Sequence, residues 1–157
     1  LDQIFQGLAE IELPVEHLEM DHLCYRVESL ERYYEIKRDL EQEHRVLGES
    51  EIGGRPIVNF LLARPLSYGN RLIKVLELPA PKPTSSYKEG YEHVEFVTNQ
   101  SLEAFIAKHQ HIKFDLSGLG KKRNREVRLS LGSVNVKFHE ESLLKIIKEE
   151  QQDITNL

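Results

Sequence analysis

Asp21-His22-Leu23-Cys24-Tyr25 and Glu92-His93-Val94-Glu95-Phe96 decide the fold. Both read acid, His, aliphatic, variable, aromatic, and both have the alternating character of a short strand. Each leads into a helix signal of one kind. Ser29-Leu30-Glu31-Arg32-Tyr33 follows the first and Ser101-Leu102-Glu103-Ala104-Phe105 the second, and in each the Ser is placed to cap the apolar-periodic run behind it. Three strand-like runs then complete each half. In the first they are RVLGESEIGG (45–54), RPIVNFLLARP (55–65) and RLIKVLEL (71–78), separated by Gly53-Gly54 and by the SYGN turn at 67–70. In the second they are IKFDLSGLG (112–120), REVRLSLGS (125–133) and VNVKFHEE (134–141), broken by Gly118, Gly120 and the Gly132-Ser133 turn.

The order strand, helix, three strands is therefore given twice, which is the mark of an internal duplication. At the last strand of each half, Ile73-Lys74-Val75-Leu76-Glu77 aligns with Val136-Lys137-Phe138-His139-Glu140. The turn glycines give the same match, since Gly69 to Glu77 and Gly132 to Glu140 are both eight residues. The expected organisation is a single α+β domain of two βαβββ modules, at 21–78 and 91–140. A helical extension precedes them at 1–20, a Pro-, Ser- and Lys-rich connector joins them at 79–90, and a helix follows at 141–151.

Strand alternation carries the chemistry. Ile73, Val75 and Glu77 share one face, and Val136, Phe138 and Glu140 share one in the second half, so a carboxylate ends each apolar face. Burying a carboxylate is costly unless it is paired or coordinated, and each half offers a His at an equivalent place in its first strand. His22, Glu77, His93 and Glu140 are thus candidate metal ligands. Two imidazoles and two carboxylates suit Zn, Mn, Fe, Ni or Co and leave positions for a chelating small-molecule ligand. Cys24 and Glu95 stand two residues beyond each His on the same face, where they can line the cleft, with Glu95 the candidate general base. Cys24 also reads as a small packing residue, with no local base to activate its thiol. Glu140 reads equally as a carboxylate at a helix start, favoured there by the helix dipole. A lone strand His is more often structural than ligating, and only the matched pairing lifts His22 and His93 above that reading. His17, His44, His109, His111 and His139 keep it, His139 lying by parity on the face opposite Glu140.

These motifs resemble the vicinal-oxygen-chelate superfamily of glyoxalases, extradiol dioxygenases and bleomycin-resistance proteins. More closely, MDHLCYRV, VLELPAPK, EHVEFV and VKFHEESL are similar to the YecM family within it. The resemblance implies a curved sheet cupped around a central cleft, and metal ligands at His22, Glu77, His93 and Glu140. It departs from the superfamily pattern at Glu140, which is followed by Glu141 and a helix rather than by an aliphatic residue and a turn.

Composition bounds the rest. The 157 residues carry a formal charge of −5, and the only basic cluster is KKRNR at 121–125, so nucleic acid is not an expected partner. That cluster reads as a solvated turn or as a contact for an anionic substrate. No apolar run approaches a membrane span, and the first residues lack the basic-then-apolar pattern of a secretion signal. The single cysteine forms no internal disulfide, which fits a reducing compartment, and the cytoplasm is the expected location. The functional expectation is a divalent-metal enzyme of isomerase, lyase or oxygenase type acting on a small oxygen-rich ligand. The alternatives are a non-catalytic ligand-sequestering module and a structural dimerisation protein.

Overall fold

The computed structural model of the chain describes residues 1–83, 86 and 88–155, with backbone alone at 150 and 153–155. Its elements are α1 (Asp2–Glu10), β1 (Glu19–Arg26), α2 (Leu30–Glu43), β2 (Arg45–Glu51), β3 (Pro56–Tyr68), β4 (Arg71–Pro79), β5 (Gly90–Val97), α3 (Leu102–Lys108), β6 (Glu126–Leu131), β7 (Val134–His139) and α4 (Leu143–Thr155). The architecture is mixed α+β, as expected. No helix among the described residues is long and apolar enough to cross a membrane. The chain divides into two compact units, a first of residues 22–92 with the end of α4, and a second of 1–21 with 93–149.

In the first unit the strands run β2-β3-β4-β1, with β3 antiparallel to both neighbours and β1 parallel to β4. Alternation sorts the residues cleanly. Leu23, Leu76 and Phe60 sit in register on one face, buried with Val58 and Leu78. Contacts between α2 and both β3 and β4 cover this sheet. The helix starts where Ser29 predicts, its hydroxyl accepting from the Arg32 N–H at 3.1 Å. Tyr33 is buried whole and donates its hydroxyl to Glu49 Oε1 at 2.8 Å, so a polar handle is satisfied inside an apolar contact. The β3–β4 hairpin is long and irregular: between Leu61 and Leu66, five residues of β3 advance against two of β4.

The second unit orders its strands β5-β7-β6, with β5 parallel to β7 and β6 antiparallel to it. Val94, Phe96, Val136, Phe138, Val127 and Leu129 make its apolar face. Helix α3 lays Phe105 against Phe138 with ring centroids 4.9 Å apart, and α1 sets Phe5 edge-on to Phe96 at 6.2 Å. Gly7 lets α1 come close, since a Cβ there would meet the Leu131 side chain at 3.1 Å.

Three details differ from expectation. The extension at 1–20 is helical only to Glu10; Glu12 takes a positive φ of 55° and β1 has begun by Glu19. Pro14, lacking an N–H, is one reason the helix does not continue. The run 112–120 supplies a single bridge, Asp115 to Arg128, and then a 3-10 turn over Ser117–Gly120. Asp115 turns the chain by accepting the Ser117 N–H at 2.9 Å, and Gly118 passes so near Glu126 that a Cβ would lie 2.5 Å from its carbonyl oxygen. The connector at 79–90 includes residues 84, 85 and 87, which lie outside the described residues.

Candidate functional site

The second face of each sheet carries the chemistry. In the first unit the parallel pairing sets His22 beside Val75 and Cys24 beside Glu77, and the antiparallel pairing sets Asn59 on the other side of Glu77. Cys24, Glu77 and Asn59 therefore form one row across β1, β4 and β3, with His22 on the same face. His22 and Cys24 are buried and Glu77 is half-buried. One ring nitrogen of His22 and one carboxylate oxygen of Glu77 lie within 4.8 Å of each other. Asn59 is buried, and its Oδ1 has no hydrogen-bond partner among the described residues. A buried carbonyl oxygen left so is costly, and an ion or an ordered water is the usual remedy. Imidazole, carboxylate and amide oxygen on one face fit a divalent ion.

The corresponding face of the second unit is more charged. His93 pairs with Asn135, Glu95 with Lys137 and Val97 with His139, all directed to the side opposite the phenylalanine core. Lys137 donates to Glu95 Oε1 at 2.6 Å and to His93 Nε2 at 3.0 Å, and that ring nitrogen is also 3.0 Å from Glu95 Oε1. The other oxygen of Glu95 is 3.5 Å from His139 Nε2, which is also 3.3 Å from Asp21 Oδ2. Nδ1 of His139 lies 3.0 Å from Asn124 Oδ1, a residue held at a positive φ of 47°. Asp21 in turn accepts the Leu143 N–H, at 3.2 and 3.0 Å to its two oxygens, at the start of α4. Asp21, His93, Glu95 and His139 are each at most 5% exposed. The chain thus spends a buried sheet face on a cluster of charged and polar side chains, a costly choice unless its members are paired.

Next along this face, Glu126 is held by Lys121 at 2.8 Å and by Arg128. Burial works to raise its carboxyl, but those two cations and the field of Lys137 outweigh burial and hold it below the usual carboxylate range. The KKRNR loop is accordingly engaged with the chain itself: Lys121 on Glu126, Asn124 on His139 and Arg125 on Glu103.

Glu140 stands apart. It follows the end of β7, next in alternation to Phe138 and Val136, and its carboxylate accepts the Leu102 N–H at 2.9 Å in the first turn of α3. Counting from the hairpin turns matched it to Glu77, but the strand register gives another equivalence. Cys24 is beside Glu77 and Glu95 is beside Lys137, so Lys137 occupies the place of Glu77. Six residues separate the turn residue Arg71 from Glu77, whereas three separate Val134 from Lys137, because the first hairpin is the longer. A slip of three residues is odd, and an odd slip exchanges faces.

Sequence reasoning also passed over His139, Asp21, Asn59 and Asn124. The signal for His139 was present: Asn135, Lys137 and His139 alternate with Val134, Val136 and Phe138, as His93 and Glu95 alternate with Val94 and Phe96. Matching polar face to polar face would have given the observed register.

The family model described as YecM protein matches residues 1–150. An uncharacterised protein of Haemophilus influenzae is 33% identical over 101 residues, 62% of this chain and 53% of that protein, so the match spans about half of that relative's length. Protein YecM of Escherichia coli is 28% identical over an alignment of 169 positions, 96% of this chain and 87% of that one. A protein solved in a structural-genomics effort superposes with a TM-score of 0.81 at 26% identity, covering 94% of this chain and 85% of that one. A Streptomyces coelicolor methylmalonyl-CoA epimerase, in complex with 2-nitronate-propionyl-CoA, superposes with a TM-score of 0.54 at 15% identity, over 80% of this chain and 96% of the epimerase. That last likeness is one of fold, the vicinal-oxygen-chelate fold.

Proposed function

This chain belongs to the YecM family, and we propose that it binds one divalent metal ion through His22 and Glu77 and acts with it on a small oxygen-rich ligand, as an enzyme of isomerase, lyase or oxygenase type. The observation that carries the reading is the His22–Glu77 pair, whose ligand atoms lie within 4.8 Å of each other on a face that also holds the orphaned Oδ1 of Asn59. Zn, Mn, Fe, Ni and Co all accept such donors. A bound ion supplies charge stabilisation to a ligand oxygen as negative charge develops there. The epimerase of like fold, in complex with a small acyl-CoA analogue, supports a small-molecule ligand.

Glu140 is left out of the proposed set. To serve as a ligand it would have to release the Leu102 N–H and turn from the apolar side of its sheet. Glu95 is the proposed base. Its carboxylate is fixed at one oxygen by Lys137 and His93 and faces His139 with the other, which orients it for taking a proton from the ligand. His139, set by Asp21 and Asn124, positions it.

Calorimetric titration with Zn or Mn tests the reading. The His22→Ala variant should bind about a hundredfold more weakly, in line with the loss of a ligand, while His109→Ala should match the unaltered chain. Equal affinities for His22→Ala and the unaltered chain would sink it.

A further inference from the structure

Asn59 belongs to the polar face of the first unit, and its chemistry is used by nothing around it. It stands in mid-strand between Val58 and Phe60, which turn to the apolar core, at a place where asparagine is a poor choice for strand formation. Its partner on β4 is Glu77 and its partner on β2 is Gly48, so its row across the sheet reads Cys24, Glu77, Asn59, Gly48. Neither flank offers its oxygen a proton, since a carboxylate accepts and a glycine has no side chain. The residue is 8% exposed, and Oδ1 has no hydrogen-bond partner among the described residues. Such an oxygen costs the fold stability, which a purely structural asparagine has no reason to do. Cys24, on the other flank of Glu77, stands differently: its sulfur lies within 4.8 Å of a Glu92 carboxylate oxygen.

We propose that Asn59 Oδ1 is a third ligand of the ion held by His22 and Glu77, completing within the first unit a set of one nitrogen and two oxygens. The inference rests on the metal reading above. An amide oxygen receives a divalent cation through the same lone pairs with which it accepts a hydrogen bond, and it is a hard, neutral donor. Oxygen in two of the three places suits ions of the Mn and Fe(II) kind and disfavours Cu(I), which selects sulfur. Neutrality has its own use here. A carboxylate at position 59 would stand directly across the ladder from Glu77, and like charges so placed destabilise a sheet. The amide supplies oxygen without that repulsion, so the strands can pair before the ion arrives.

Asn59→Leu, close in size to the amide, and Asn59→Asp test this in titrations with Mn. The first should bind at least about tenfold more weakly, as for a lost ligand, and the second more tightly than the unaltered chain, as for an added anionic one. Equal affinities in the three proteins would overturn the proposal and leave the metal reading standing, whereas no binding by the unaltered chain would bring down both. Urea unfolding without metal gives a second readout. The midpoint of Asn59→Leu should lie at or above that of the unaltered chain, because the substitution removes an unmet acceptor, and that of Asn59→Asp should lie below it. A lower midpoint for Asn59→Leu would mean that the amide is hydrogen-bonded in the folded chain with its NH2 turned inward, and would overturn the proposal. In the unaltered chain the Nδ2 proton signals of Asn59 should shift when Zn is added; signals that stay in place on a Zn-loaded chain would overturn it as well.

Discussion

The first and second units open with the same His-bearing strand and differ at the residue beside it. In the first, Cys24 faces Glu77; in the second, Glu95 faces Lys137. The first face is sparse in charge, with His22, a half-buried carboxylate and an orphaned amide oxygen, and it is a set of donors suited to a cation. The second is dense, with Asp21, His93, Glu95, Lys137 and His139 joined pair by pair. Two copies of one supersecondary unit have thus kept the histidine and exchanged the sign of its neighbour. The carboxylate at the end of the second copy's last strand has taken up backbone work at the start of α3.

The strongest way to break this contrast is to make the first unit resemble the second. Glu77→Lys should lower metal affinity by about three orders of magnitude, because it removes an anionic ligand and adds a repelling charge; equilibrium dialysis reads the loss. A smaller effect, on stability, should follow from cutting the second unit's network at its centre. Glu95→Gln strands Lys137 beside a neutral amide and should reduce the free energy of unfolding by about 2–3 kcal/mol, measured in urea. Glu140→Gln sharpens the comparison from the other side: metal affinity should stay within about twofold, and stability should fall by about 1 kcal/mol with the weakened hold on the Leu102 N–H.

The smallest expected effect is a pH dependence. His109 is buried against Phe105, ring centroids 4.9 Å apart, and burial pushes its imidazole below the ordinary value of 6.5, helped by the charge of Lys108. The unfolded chain therefore takes up this proton first. The stability that neutral His109 contributes is complete above about pH 6.5 and is lost as the pH falls below it. His109→Leu should flatten the decline of the thermal midpoint between about pH 7 and 5 by a degree or two. An unchanged slope would mean that other groups set it.

Much of this was legible in the sequence. Ser29 and Ser101 cap the helices they were expected to cap, and the two His-bearing strands are where their alternation puts them. The family resemblance agrees with the family match over residues 1–150. The last-strand register was not legible from turn glycines, because hairpin length is set by packing along β3, whose irregularity between Leu61 and Leu66 has no counterpart in β6. Lys137 was hidden for the same reason. Asp21 and His139 meet across more than a hundred residues of chain, a pairing that local pattern does not encode. The run 112–120 has strand composition, yet an Asp turn and a glycine pressed against Glu126 reduce it to one bridge.

The first unit's His22–Glu77 pair is proposed to anchor a divalent ion that Glu140 does not hold. Elemental analysis of the chain purified without chelators, alongside Glu77→Ala and Glu140→Gln prepared in the same way, decides the matter. About one equivalent of ion is expected in the unaltered chain and in Glu140→Gln, as for a single site, and almost none in Glu77→Ala. An ion retained in Glu77→Ala and lost in Glu140→Gln would refute this assignment.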